Sequence, residues 1–153
     1  MLSTVVEVSA VVSAGLVAGA LLGDRVAASQ ARTRLDVANF VTFMQTWHPH
    51  FVRFVGPLMM IGLVAASAWL FLAWPHGNAM ERALIAASIA GLVAVAGITA
   101  IAIVPINGQL MTWDAAAPPA DLAARWAPWE RAHTARALVA AAVLVLDAVA
   151  LSF

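Results

Sequence analysis

The sequence predicts an all-α integral membrane protein: a four-helix bundle with an amphipathic helix in its first loop and a helical third loop. Three observations predict it. Of 153 residues, 63% are hydrophobic and only 10% charged, whereas soluble domains are about one quarter charged. Mean hydropathy is +0.92. Apolar runs close to the ~20 residues that cross a bilayer occur four times, over residues 4–23, 52–74, 83–105 and 134–153. These spans account for the chain as a single transmembrane domain, residues 1–153.

In the first span Gly15, Gly19 and Gly23 are spaced by four, which stacks them on one helix face as an expected packing seam. The third span repeats the small-residue character at Ala87 and Gly91 and at Ala90 and Ala94, and is its expected partner. "MLSTVVEVSA" lacks a basic region and carries Glu7, so the first run is expected to stay as a span rather than serve as a cleaved signal. Val37, Phe40, Val41, Met44 and His48 then fall at helical spacing, as in an interfacial amphipathic helix. Pro49 suits the first turn of span two, and Pro57 inside it should kink the helix. The connection "PHGNAMER" reads as a turn, and the Pro-rich third loop should resume as helix after Asp121 as N-cap.

Net charge is zero and no basic block exceeds "ARTR", which excludes the electrostatic footprint of a nucleic-acid binder. The absence of cysteine excludes disulfides, Fe–S clusters and thiolate metal sites. Alternating spans put loops one and three on one membrane face. Arg25, Arg32, Arg34, Arg53, Arg125, Arg131 and Arg136 lie there, against Arg82 alone on the other. The positive-inside rule then places the long loops in the cytoplasm and both termini outside it, in a bacterial cytoplasmic membrane. Trp69 and Trp74 at the end of span two read as an aromatic belt. Trp47, Trp113, Trp126 and Trp129 at the opposite end are belt residues or the walls of a pocket.

The fourth span opens with costly chemistry. Trp126, Glu130, His133 and Arg136 follow spacings of three and four, so indole, carboxylate, imidazole and guanidinium share one stripe. The first loop brings Gln45, His48, His50 and Arg53 to the same membrane face, and "PINGQL" brings Asn107. Three of the four histidines thus converge, while His76 lies on the far side. Ionisable groups at membrane depth are costly and mark function, although an interfacial ion pair explains Glu130 with Arg131 or Arg136 equally well. His48 and His50 around Pro49 form a plausible metal edge or a helix cap. A second constellation pairs Glu7 with Asp147, each six residues from its terminus and so about 9 Å along a helix.

The segment "VPINGQLMTWDAAAPPADLAARWAPWERAHTARAL" resembles the hallmark of the anthrone-oxygenase-like family of small four-span membrane proteins, first catalogued as a domain of unknown function. The pattern falls here on Pro105, Ile106, Asn107, Trp113, Pro119, Asp121, Arg125, Trp126, Glu130, His133 and Arg136. The glycine-spaced first span and Gln45 extend the likeness. "TWHPHFVR" departs from the Asn-Arg and Asn-Pro pattern of many members, and its extra histidines point toward a metal-using variant.

The resemblance implies an oxygenase acting with dioxygen as co-substrate on a hydrophobic aromatic small molecule, anthrone- or quinol-like, since named members oxidise a polyketide anthrone to an anthraquinone. In a cofactor-free version His133 is the general base, Glu130 orients it, and Asn107 and Arg136 stabilise an enolate-type anion. Trp113, Trp126, Gln45 and Arg53 would contact the substrate. In a metal version His48, His50 and His133, with Glu130, hold copper, iron or manganese. The rival class is a non-enzymatic membrane binding, transport or assembly subunit using Glu7 and Asp147. Besides the lipid bilayer, a homo-oligomeric partner is left open.

Overall fold

The computed structural model describes all of residues 1–153. It is entirely helical: α1 spans Leu2–Gly23, α2 Ser29–Arg32, α3 Val37–Ala73, α4 Ala79–Ile98, α5 Val104–Leu110 and α6 Leu122–Ala150. A π-helical turn over Asp24–Ala28 joins α1 to α2, and another over Thr99–Ile103 joins α4 to α5. Four continuous rods result, Leu2–Arg32, Val37–Ala73, Ala79–Leu110 and Leu122–Ala150, each long and apolar enough to cross a bilayer.

The rods run up and down in ring order: α1 packs on α3 and α6, and α4 on α3 and α6. α1 and α4 are therefore diagonal neighbours. The expected pairing of the first and third spans does not occur, and the glycine stripe on α1 explains why. A Cβ added at Gly19 or Gly23 meets no atom within 4 Å, so these glycines face outward. The buried face of α1 is instead Ala10, Ser13, Ala14, Val17, Ala18 and Leu21. Close helix approach happens elsewhere. A Cβ at Gly91 would lie 2.5 Å from Val143 Cγ2, and one at Gly62 3.3 Å from Ser13 Cβ.

The helix expected over residues 37–48 is present, but as the first turns of the 37-residue α3, about 55 Å long at 1.5 Å per residue. It stands beyond a bilayer core of about 30 Å as a continuation of the span rather than a separate interfacial element. Asp36 caps it, accepting from the Asn39 N–H at 2.9 Å. The Asn39 backbone and side-chain amides hold the Asp36 carboxyl below the usual carboxylate range. Helix continues through both Pro49 and Pro57. Asp121 is the N-cap residue of α6, as expected, although its side chain accepts no capping hydrogen bond. Its carboxylate accepts from Arg125 Nε at 2.7 Å instead, and that interaction lowers its pKa.

The second π-turn has a sequence cause. Pro105 has no N–H to offer the carbonyl four residues back, and the helix widens just before it, the Val104 N–H reaching Thr99 O. Both π-turns have the same effect on register. One turn of i→i+5 bonding absorbs a residue, so a separation of eight behaves like seven, close to two full turns. Asp24 and Arg32 come onto one face by this means, as do Thr99 and Asn107.

The Trp69 ring is 2% exposed and packs in the core with Ala66, Ile85 and Ala150, so it is not a belt residue. Trp74, 67% exposed, is placed as one. At that end of the bundle Trp69 Nε1, Ser88 Oγ and the Asp147 carboxylate are buried with no hydrogen-bond partner. Glu7 is half-buried.

Candidate functional site

The loop end of the bundle encloses a connected set of ionisable groups. Arg32 donates to Asp24 through both terminal nitrogens, Nη1 to Oδ1 at 2.7 Å and Nη2 to Oδ2 at 3.2 Å. Both side chains are almost wholly buried. Asp24 Oδ2 also lies 2.8 Å from His133 Nε2, a close contact that lacks the alignment of a linear hydrogen bond. On the other side of the imidazole, Arg136 Nε donates to His133 Nδ1 at 3.0 Å and Arg136 Nη1 to Thr99 Oγ1 at 3.2 Å. Thr99 Oγ1 in turn donates to Val95 O.

Glu130 closes the outer side. Its carboxylate accepts from Ser29 Oγ at 2.7 Å and Trp126 Nε1 at 3.1 Å, and Arg32 Nη2 stands 3.9 Å away. Arg25 Nε donates to Thr134 Oγ1 at 2.6 Å, tying the first π-turn to α6. Two guanidiniums, Arg32 and Arg136, balance two carboxylates, Asp24 and Glu130. That balance makes the burial tolerable, because an uncompensated interior charge is far costlier than a paired one.

Aromatic rings hold the network in place. Phe40 meets Trp126 edge-on at 5.2 Å, Trp126 stacks on Trp129 at 4.4 Å, and Trp129 stacks on His133 at 4.7 Å. The Arg32 guanidinium lies 5.6 Å from the Trp129 ring centroid. Trp129 Nε1 donates to Asn107 Oδ1 at 2.9 Å. This bond fixes the Asn107 amide so that its NH₂ is left for another acceptor.

Beside the network lies a cavity of about 330 Å³ between α3 and α5, at the lower end of the range for small-molecule sites. Val52, Val55, Met59, Ile103, Val104 and Met111 supply apolar wall. Arg136, Asn107, Thr99 and His48 supply the polar groups, with Trp47 and Trp129 as aromatic faces. Rim residues Val52, Val104 and Met111 are about half exposed, so the mouth opens on the outer face of the bundle between two spans. A second, more polar groove of about 560 Å³ touches the network from the other side at Arg32, Ser29, Trp126 and Glu130.

Of the residues expected from sequence, Glu130, His133 and Arg136 do share one connected stripe, with Asn107 one indole away. His133 is fully buried, with Arg136 and Asp24 at its two ring nitrogens, and it is Arg136 that reaches the cavity. Trp126 lines the second groove. Gln45 donates to the Leu110 and Trp113 carbonyls, at 2.9 Å each, and so ties α3 to the turn after α5. Trp113 is half-buried, while His50 and Arg53 are exposed. No three His, Asp or Glu side chains gather as a metal site.

Asp24, Ser29 and Thr99 are not among the residues the sequence singled out; Arg32 entered only as a charge that sets orientation, and Trp129 only as a belt residue or pocket wall. Asp24 does carry a signal, a carboxylate closing an apolar run, followed eight residues later by Arg32.

Fold and site together define a class: a four-helix membrane-type bundle with an ion-paired network beside an apolar cavity that opens on its outer face. Residues 43–146 match the sequence pattern of the anthrone oxygenase family, and the chain belongs to that family. No curated protein and no solved structure matches it.

Proposed function

We propose that the protein is a membrane-embedded oxidoreductase that uses dioxygen to oxidise a flat, hydrophobic aromatic substrate of the anthrone or quinol class in the cavity beside Arg136. The observation that carries this reading is the cavity itself. Its walls are apolar and it opens on the outer face of the bundle, the route by which a substrate partitioned in lipid would enter, and its few polar groups are a guanidinium, an amide, a hydroxyl and an imidazole.

These groups suit formation of a substrate anion. His48 makes no hydrogen bond to the protein and lines the cavity, so it is the base in this scheme. It takes a proton from the acidic carbon of the substrate. The electron pair left behind delocalises onto the ring oxygen, which Arg136 and the Asn107 NH₂ stabilise. His133, holding Arg136 Nε, positions the guanidinium. The anion transfers its electrons to dioxygen and forms a carbon–oxygen bond, and the proton on His48 completes a hydroperoxide. Loss of the second carbon-bound proton with cleavage of the O–O bond leaves a carbonyl and releases water. One dioxygen is consumed per carbonyl formed. The proposed steps rest on side chains alone.

The test is oxygen uptake by purified protein in lipid nanodiscs supplied with anthrone. Wild type should consume one dioxygen per anthraquinone formed, and His48→Ala should lose about 100-fold in rate while still binding substrate. A wild-type protein without uptake would remove the reading, and a fully active His48→Ala would move the base elsewhere.

A further inference from the structure

Gly56 of α3 and Gly108 of α5 both line the cavity, and the backbone requires neither. No glycine in the chain adopts positive φ, so no left-handed turn calls for them. A glycine inside a helix weakens it relative to alanine, which makes two helical glycines at one cavity a cost in search of a reason. Close packing is not that reason. A Cβ at either position meets no atom within 4 Å, in contrast to Gly91. Nor is the following proline the reason for Gly56. The residue before a proline is crowded in a helix, yet His48, Val104 and Ala127 precede Pro49, Pro105 and Pro128 as helical residues with full side chains.

What remains is the space itself. The Gln45 bonds to the Leu110 and Trp113 carbonyls set α3 against α5 so that Gly108 lies near the level of His48, at the loop end. Gly56 is eight residues beyond His48, about 12 Å deeper. Without side chains at these two points the cavity wall stays open along both helices, over about 12 Å.

We propose that Gly56 and Gly108 are specificity-determining residues: they keep open a slot for a planar fused-ring ligand and set how many rings it admits. This rests on the reading of the cavity as the site for a hydrophobic aromatic substrate. A side chain at Gly56 shortens the slot at its deep end, and one at Gly108 narrows it beside Asn107.

The experiment measures binding without turnover, by quenching of tryptophan fluorescence under nitrogen with phenol, naphthol and anthrone, since Trp47 and Trp129 face the slot. Gly56→Leu and Gly108→Leu should melt at or above the wild-type temperature in detergent. Each should bind phenol within about twofold of wild type and anthrone at least about tenfold more weakly. Variants that bind all three ligands as wild type does would overturn the proposal, as would variants that melt well below wild type, since the glycines would then serve packing. Wild type that binds anthrone but never oxidises it in air would leave the slot standing and remove the proposed reaction. Wild type that binds none of the three would remove both.

Discussion

Arg136 donates from Nε to His133 Nδ1 at 3.0 Å, and that one bond sets the polarity of the whole network. A guanidinium has only donors, so Nδ1 must accept and the ring proton is left on Nε2, facing Asp24 at 2.8 Å. Asp24 in turn is held by both arms of Arg32. The imidazole thus joins α6 to the π-turn that follows α1, and it aims Arg136 at Thr99 and the cavity.

His133→Ala should therefore cost stability as well as activity. Nδ1 and Nε2 vanish together, leaving Arg136 Nε without a partner and the buried Asp24 with one cation instead of two contacts. A loss of about 2 kcal/mol or more is expected, read as a lower melting temperature in detergent. Asp24→Asn and Arg32→Met should each cost about 3–5 kcal/mol by stranding a buried charge, and the double variant less than their sum. If all three singles melt like wild type, the network is not the structural keystone described above.

The helix seams make a separate prediction. Gly91→Leu should lower the melting temperature sharply, because its Cβ would sit 2.5 Å from Val143 Cγ2, whereas Gly19→Leu should be nearly silent because its Cβ meets nothing within 4 Å. Equal melting of the two variants would contradict the ring order of the helices.

Glycine spacing shows what the sequence could and could not reveal. Hydropathy alone located the four rods, because bilayer thickness imposes a length that composition displays directly. The stripe of Glu130, His133 and Arg136 was equally legible, since α6 is a regular helix there and spacings of three and four hold. Asp24 and Arg32 escaped because the π-turn between them shifts register by one residue, which an α-helical period cannot anticipate. Thr99 is the same case. The small residues on α1 misled for another reason. A stripe of glycines shows where a backbone can be approached, not whether a neighbour does so, and here the partner surface is one position round the helix, at Ala14, Val17, Ala18 and Leu21.

Orientation in the membrane follows from the arginines that remain once the site is removed from the count. Arg32 and Arg136 are buried in the network, which leaves Arg25, Arg34, Arg53, Arg125 and Arg131 at the loop end against Arg82 at the other. Reporter fusions at Asn78 and Phe153 should both read as non-cytoplasmic. A cytoplasmic reading at either position would invert the assignment.

In the proposed reaction the cavity generates and holds a substrate anion against Arg136 before dioxygen reacts. Its most direct test is the absorption spectrum of the protein mixed with anthrone under strict anaerobiosis. Wild type should develop the red-shifted band of the enolate at a pH where free anthrone shows none, His48→Ala should not, and admitting oxygen should convert the band to quinone. Turnover in air without any anaerobic anion band would contradict it, and would mean that the groups lining this cavity do not deprotonate the substrate before dioxygen reacts.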